Sequence, residues 1–118
     1  MFIDLLWRCL SLLLKKYEEK IMEYLKNYMY VAHKVKEIIR KIDPDAKIYV
    51  FGSVVKGKYT ASSDIDILVV TKDIKKKDQM KVNVYKEIDA PIELHIVTSE
   101  KFYTWYKKFI KTDEIIEI

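Results

Sequence analysis

Glycine, proline and cysteine are all scarce in this chain of 118 residues, which has two glycines, two prolines and one cysteine. The lone Cys9 excludes an internal disulfide and suits a reducing compartment. Arginine is as rare. Arg8 and Arg40 stand against twenty lysines, so bidentate readout of bases is poorly provided for and a nucleic-acid partner is not indicated. No apolar run approaches the roughly twenty residues needed to cross a bilayer. The greasiest stretch, Phe2 to Leu14, has ten apolar residues in thirteen and is interrupted by Asp4 and Arg8. No basic segment precedes it and no small-residue cleavage site follows it, which argues against a signal peptide. The chain reads as cytoplasmic, with no membrane role. No repeat or low-complexity linker divides it.

What is present is an ordinary soluble balance, 50% hydrophobic and 34% charged, so disorder is not expected. A net charge of +4 and a pI near 9.0 suit a polyanionic ligand such as a triphosphate or RNA without choosing between them. The length suffices for one domain, and a domain this small buries only about two-thirds of its unfolded surface. Help from a partner or from a second copy, as a homo-oligomer, is therefore expected.

Hydrophobic periodicity sets the elements. In a helix over residues 2–14, Asp4, Arg8, Ser11 and Lys15 form one narrow stripe and the rest is apolar. Such a helix must be covered on most sides, which suggests contact with another subunit. The alternative is that the natural start lies at Met22 or Met29. From Tyr17 to Ile42 apolar residues recur at 17, 21, 24, 28, 31, 35, 38 and 42, and Leu25, Ala32 and Ile39 widen the stripe. This is one long helix, facing the core or forming a seam with a partner, and Asp43-Pro44-Asp45 ends it. Strands follow at Lys47–Phe51, Asp64–Thr71 and Ile92–Thr98, with a helix over Asp78–Glu87 between the last two. Ser99 is placed to cap a final helix from Glu100 to about Lys111. The expected organisation is a single domain over 1–118: a helical region 1–42, functional strands 47–98 and a C-terminal helix 99–111. The class is α+β, a short mixed β-sheet flanked by helices with a long N-terminal helix.

The chemistry concentrates between Val50 and Val70. Both glycines, Gly52 and Gly57, fall there. A strand ending at Gly52-Ser53 and turning into a short helix would aim backbone N–H groups at an anion, with the Ser53 hydroxyl as a further donor. Ten residues on come Asp64-Ile65-Asp66. Alternation puts both carboxylates on one face of a strand, about 7 Å apart at their α-carbons. There they repel unless a cation lies between them. The unbroken run Ile67-Leu68-Val69-Val70 implies a strand buried on both sides just past the pair, so the acids carry a desolvation cost that a ligand would offset. In Ile92-Glu93-Leu94-His95-Ile96, Glu93 and His95 share a face opposite the aliphatic residues. Glu93 is a third carboxylate for a metal or a general base. His95 is either a support behind it or a partly buried histidine with a local hydrogen bond. Lys56 and Lys58 could neutralise phosphate charge, Ser62 and Ser63 shape the turn before Asp64, and His33 reads as a helix-surface residue.

Together Phe51-Gly52-Ser53, the ten-residue spacer, Asp64-Ile65-Asp66 and Glu93 resemble the pattern of the DNA polymerase beta-like nucleotidyltransferase superfamily, in particular its minimal members. The resemblance covers roughly residues 35–100. It implies that Gly52 and Ser53 hold a nucleoside triphosphate such as ATP, beside which Lys56 is a candidate counter-charge, and that Asp64, Asp66 and Glu93 are the catalytic, Mg²⁺-binding acids. Glu93 stands where many relatives have Asp, which loosens its expected metal contact. The minimal members are similar to antitoxins of toxin–antitoxin systems, which transfer AMP from ATP onto a helical HEPN-domain partner protein. The alternative is a non-catalytic nucleotide-binding module that neutralises a partner by contact.

Overall fold

Four strands and two long helices carry the architecture of the computed structural model, which describes residues 2–107 and 112–118. In chain order these are α1 (Phe2–Lys26), α2 (Tyr28–Ile42), β1 (Lys47–Phe51), α3 (Ser53–Lys56), β2 (Ile65–Val70), α4 (Lys77–Glu87), β3 (Ile92–Val97), α5 (Ser99–Lys101) and β4 (Ile115–Glu117). The helix expected to run unbroken from Tyr17 to Ile42 is interrupted at Asn27, between α1 and α2. The Asn27 side-chain amide donates to Glu23 O at 3.0 Å, the same carbonyl that its own backbone N–H reaches at 3.1 Å. An asparagine competing with its own backbone for an acceptor unsettles a helix without any glycine or proline.

The apolar stripe read from the sequence is the core-facing one. Ile21, Leu25, Val31, Ala32, Val35, Ile38 and Ile39 are buried, while Tyr17 is exposed. Asp43 N–H still donates to Ile39 O, and Asp45 N–H turns back onto Asp43 Oδ1 at 3.0 Å, so the Asp-Pro-Asp turn leads directly into β1.

The sheet order is β3-β2-β1-β4. β1 pairs antiparallel with β2 and with β4, and β2 pairs parallel with β3 across the α4 crossover. One face, formed by Ile48 and Val50 of β1, Ile65, Ile67 and Val69 of β2, and Ile92, Leu94 and Ile96 of β3, packs into one core with α2 and α4. The opposite face carries a smaller cluster, Leu68, Val70, Val97 and Phe102, flanked by Tyr49, Phe51, Tyr106 and Ile115. β3 lies at an edge, where the Tyr85 hydroxyl accepts from Leu94 N–H at 3.1 Å and satisfies a donor that has no neighbouring strand.

One C-terminal expectation is corrected. Thr98 rather than Ser99 caps the last helix, its hydroxyl accepting from Lys101 N–H at 3.3 Å. After α5 the chain widens into a π-helical segment, Phe102–Tyr106, and the rest of the helix expected over 99–111 lies at 108–111, outside the described residues. β4 was not anticipated at all.

The N-terminal half of α1 stands apart from this core. Ile3, Leu5, Leu6, Trp7, Leu10, Leu12, Leu13 and Leu14 are each more than half exposed. The accessible surface is 8388 Å², against about 6,700 Å² for a compact monomer of this mass. The radius of gyration, 17.0 Å, likewise exceeds the roughly 13.5 Å of a compact chain of this length. Among the described residues, no helix is long and apolar enough to cross a membrane.

Candidate active site

Strand alternation and register build the site. Phe51 pairs with Asp66 across the antiparallel β1–β2 ladder, and Asp66 pairs with Glu93 across the parallel β2–β3 ladder. Because Ile65 and Ile67 point into the main core, Asp66 must point to the other face, where Glu93 and His95 also emerge. The carboxyl groups of Asp66 and Glu93 stand close enough that either, when protonated, can donate a hydrogen bond to the other. Burial, the bond to Glu93, and then the negative charges of Glu93 and Asp64 push Asp66 up to about 7 from 3.8.

Asp64 is exposed, one residue before β2, and its charge still reaches Asp66. The preceding turn holds it there: Ser63 N–H donates to Thr60 O and Thr60 N–H to the Ser63 hydroxyl, each at 3.0 Å. Ser62 N–H adds a bond to the Thr60 hydroxyl, so Ser63 shapes this turn through its side chain and Ser62 through its backbone. His95 closes the group. One ligand atom from each of Asp66, Glu93 and His95 lies within 4.8 Å of the other two. Two carboxylates and an imidazole so gathered form a donor set able to hold a divalent cation, and a cation would relieve the repulsion and burial that raise Asp66.

Gly52 is needed at the base of this group. Its φ is +86°, and a Cβ there would collide with Asp66 Oδ2. Only glycine lets β1 turn under the carboxylate. Its N–H is bound to Glu114 O at 3.3 Å, so among the backbone donors the sequence aims at an anion, those available begin at Ser53. Ser53 opens α3 and is partly exposed, and Gly57 ends it in the left-handed conformation. Lys56 Nζ is paired with Glu114 Oε1 at 2.9 Å, and Lys58 is exposed. Glu114, just before β4, is the site neighbour that sequence reasoning missed. Its only signal was the short β-branched run Ile115-Ile116 that follows it.

A mixed sheet with two acidic strand residues above a Gly-Ser turn defines a class. The nucleotidyltransferase domain family matches residues 32–118, most of the chain, and the protein belongs to that family. A crystal structure of a candidate nucleotidyltransferase is 33% identical, with a TM-score of 0.55, over 73% of this chain and 95% of that one. A second, from Sulfolobus solfataricus, is 26% identical, with a TM-score of 0.56, over 82% of this chain and 84% of that one. In Haemophilus influenzae, the protein named Probable protein adenylyltransferase MntA is 33% identical over 75 residues. That match takes in 58% of this chain and 65% of the relative, so the chain spans a little under two thirds of that protein's length. The family match begins at Ala32 and leaves α1 outside it.

Proposed function

We propose that the chain is a Mg²⁺-dependent nucleotidyltransferase that moves AMP from ATP onto a hydroxyl of a helical, HEPN-type partner protein in the cytoplasm, as the antitoxin of a toxin–antitoxin pair. The observation that carries the catalytic part is the Asp66–Glu93 pairing, two carboxyl groups from neighbouring strands brought together at a cost that a cation offsets. In this reading Asp64, Asp66 and Glu93 are the catalytic and metal-holding acids, and Gly52, Ser53 and Lys56 receive the triphosphate. When bound, Mg²⁺ supplies charge stabilisation for the attacking and leaving oxygens. The Ser53 hydroxyl and the backbone donors after it orient the phosphates. Lys56 exchanges its pairing with Glu114 for a phosphate oxygen. Glu93 takes the proton of the acceptor hydroxyl as its oxygen bonds to the α-phosphorus. The bond from that phosphorus to the β-phosphate bridging oxygen breaks, and pyrophosphate departs.

The adenylyltransferase name of the Haemophilus relative supports AMP as the group transferred. The exposed apolar helix supports a protein acceptor: the surface in excess of a compact monomer, about 1,700 Å², is roughly twice what one side gives to a standard interface. The same surface favours the second reading, a module that neutralises its partner by contact with nucleotide binding only regulatory. Labelled ATP and Mg²⁺, incubated with the chain and a HEPN-type partner, separate the two. Transfer of label that vanishes with Asp66→Asn supports catalysis. Neutralisation that survives the loss of label supports contact. Label transfer undiminished in Asp64→Asn and Asp66→Asn refutes the acidic site.

A further inference from the structure

β3 sends Glu93 and His95 to the same face, two residues apart. His95 Nε2 lies 3.6 Å from Glu93 Oε1, too far for a hydrogen bond. The imidazole is nevertheless held beside the carboxylate. Phe51 packs against it at 5.7 Å between ring centroids, and Tyr106 meets it edge-on at 6.1 Å. Those rings come from β1 and from the π-helical segment after α5, so His95 is fixed by three parts of the chain. Two atoms each about 2.1 Å from one small cation sit about 3.0–3.6 Å apart for ordinary ligand angles. The spacing of Nε2 and Oε1 falls at the upper end of that range. The gathered ligand atoms belong to Asp66, Glu93 and His95, whereas Asp64 is outside the group.

We propose that His95 is a direct ligand of the cation held by Asp66 and Glu93, giving a mixed nitrogen–oxygen site that favours Mn²⁺ over Mg²⁺. This rests on the reading of those two carboxylates as the metal site. Magnesium is a hard ion that keeps its water and prefers oxygen, whereas an imidazole suits transition ions. Replacing the imidazole with a weaker ligand therefore penalises Mn²⁺ more than Mg²⁺. The carboxylates alone retain a site for either.

Mn²⁺ alone, added to the full chain and examined by electron spin-echo envelope modulation, tests ligation without reference to activity. The expected spectrum shows ¹⁴N modulation from one coordinated imidazole. It disappears in His95→Gln and persists in His33→Gln, which alters the chain's other histidine, exposed on α2. In titrations, His95→Gln lowers the ratio of Mn²⁺ to Mg²⁺ affinity on the order of tenfold. The wild-type spectrum decides ligation even where a variant folds poorly. Mn²⁺ that binds, is lost with Asp66→Asn, and shows no imidazole nitrogen overturns the role of His95 while leaving the carboxylate site standing. Modulation that persists in His95→Gln overturns it too. A wild-type chain that binds neither ion overturns both.

Discussion

The two faces of the sheet are made by the same strands and differ in almost everything else. On the face toward α2 and α4, Ile48, Val50, Ile65, Ile67 and Val69 are fully buried and make no polar demand. On the other face the same strands present Tyr49, Phe51, Asp66, Glu93 and His95, with four buried residues forming a core among the described residues. Alternation lets one strand serve both purposes. Ile65 and Ile67 anchor β2, and Asp66 between them is thereby held in a position it would not choose for its own stability. The aliphatic face supplies the stability that the acidic face consumes.

That division can be broken from either side. The largest expected effect is on the acidic face: Asp66→Asn lowers nucleotidyl transfer on the order of 10³-fold, as loss of several kcal/mol of charge stabilisation requires. The same variant stays folded, because the replaced carboxylate resists its burial. Ile67→Ala, one residue away, is expected to do the reverse. It costs about 2–5 kcal/mol of stability in denaturant unfolding, while the folded fraction keeps its activity per molecule. Parallel losses of both properties in both variants would erase the distinction between the faces.

Gly52→Ala is smaller in stability and sits between the two faces. It forces a side chain into a backbone region at φ +86° that costs about 1–3 kcal/mol, and it displaces the Asp66 carboxylate. Reduced Mg²⁺ affinity with a modest drop in melting temperature is the expected pair of results. Unchanged Mg²⁺ affinity would mean that Asp66 need not stand where the glycine lets it.

The smallest effect is on pH dependence. The folded-state pKa of Asp66 is raised, so the native chain holds a proton that the unfolded chain has released. Stability from this group is fully present below about pH 3.8 and is lost as pH rises toward about 7. Half-exposure to solvent attenuates the magnitude. Melting temperatures of the metal-free protein across that window should fall more steeply for the wild type than for Asp66→Asn. Identical slopes would remove Asp66 as the cause.

Much of the acidic face was legible in the sequence because alternation along a strand is a local rule. Asp66 and Glu93 could be put on strands, and on their polar sides, from Ile65, Ile67, Ile92 and Leu94 alone. Their meeting depends on the parallel register of β2 and β3, set by Ile65 N–H donating to Pro91 O at 2.7 Å and by the α4 crossover, neither of which is a local signal. His95 shared the face of Glu93 in the sequence. Its closeness to the carboxylates is enforced by Phe51 and Tyr106 from distant segments. β4 escaped notice because a strand of three residues has no period to read, and with it went the Lys56–Glu114 pair. The Asn27 break was hidden for a different reason: the apolar stripe runs on through it, and only the asparagine's competition for Glu23 O reveals it.

Calorimetric titration of Mg²⁺ into the chain, with a non-hydrolysable ATP analogue present, tests the convergence of the two strands most directly. The wild type should bind with a heat that disappears in Asp66→Asn and again in Glu93→Gln, since each leaves the other carboxylate without its counterpart. Binding of undiminished affinity in both single variants would contradict a shared cation between β2 and β3.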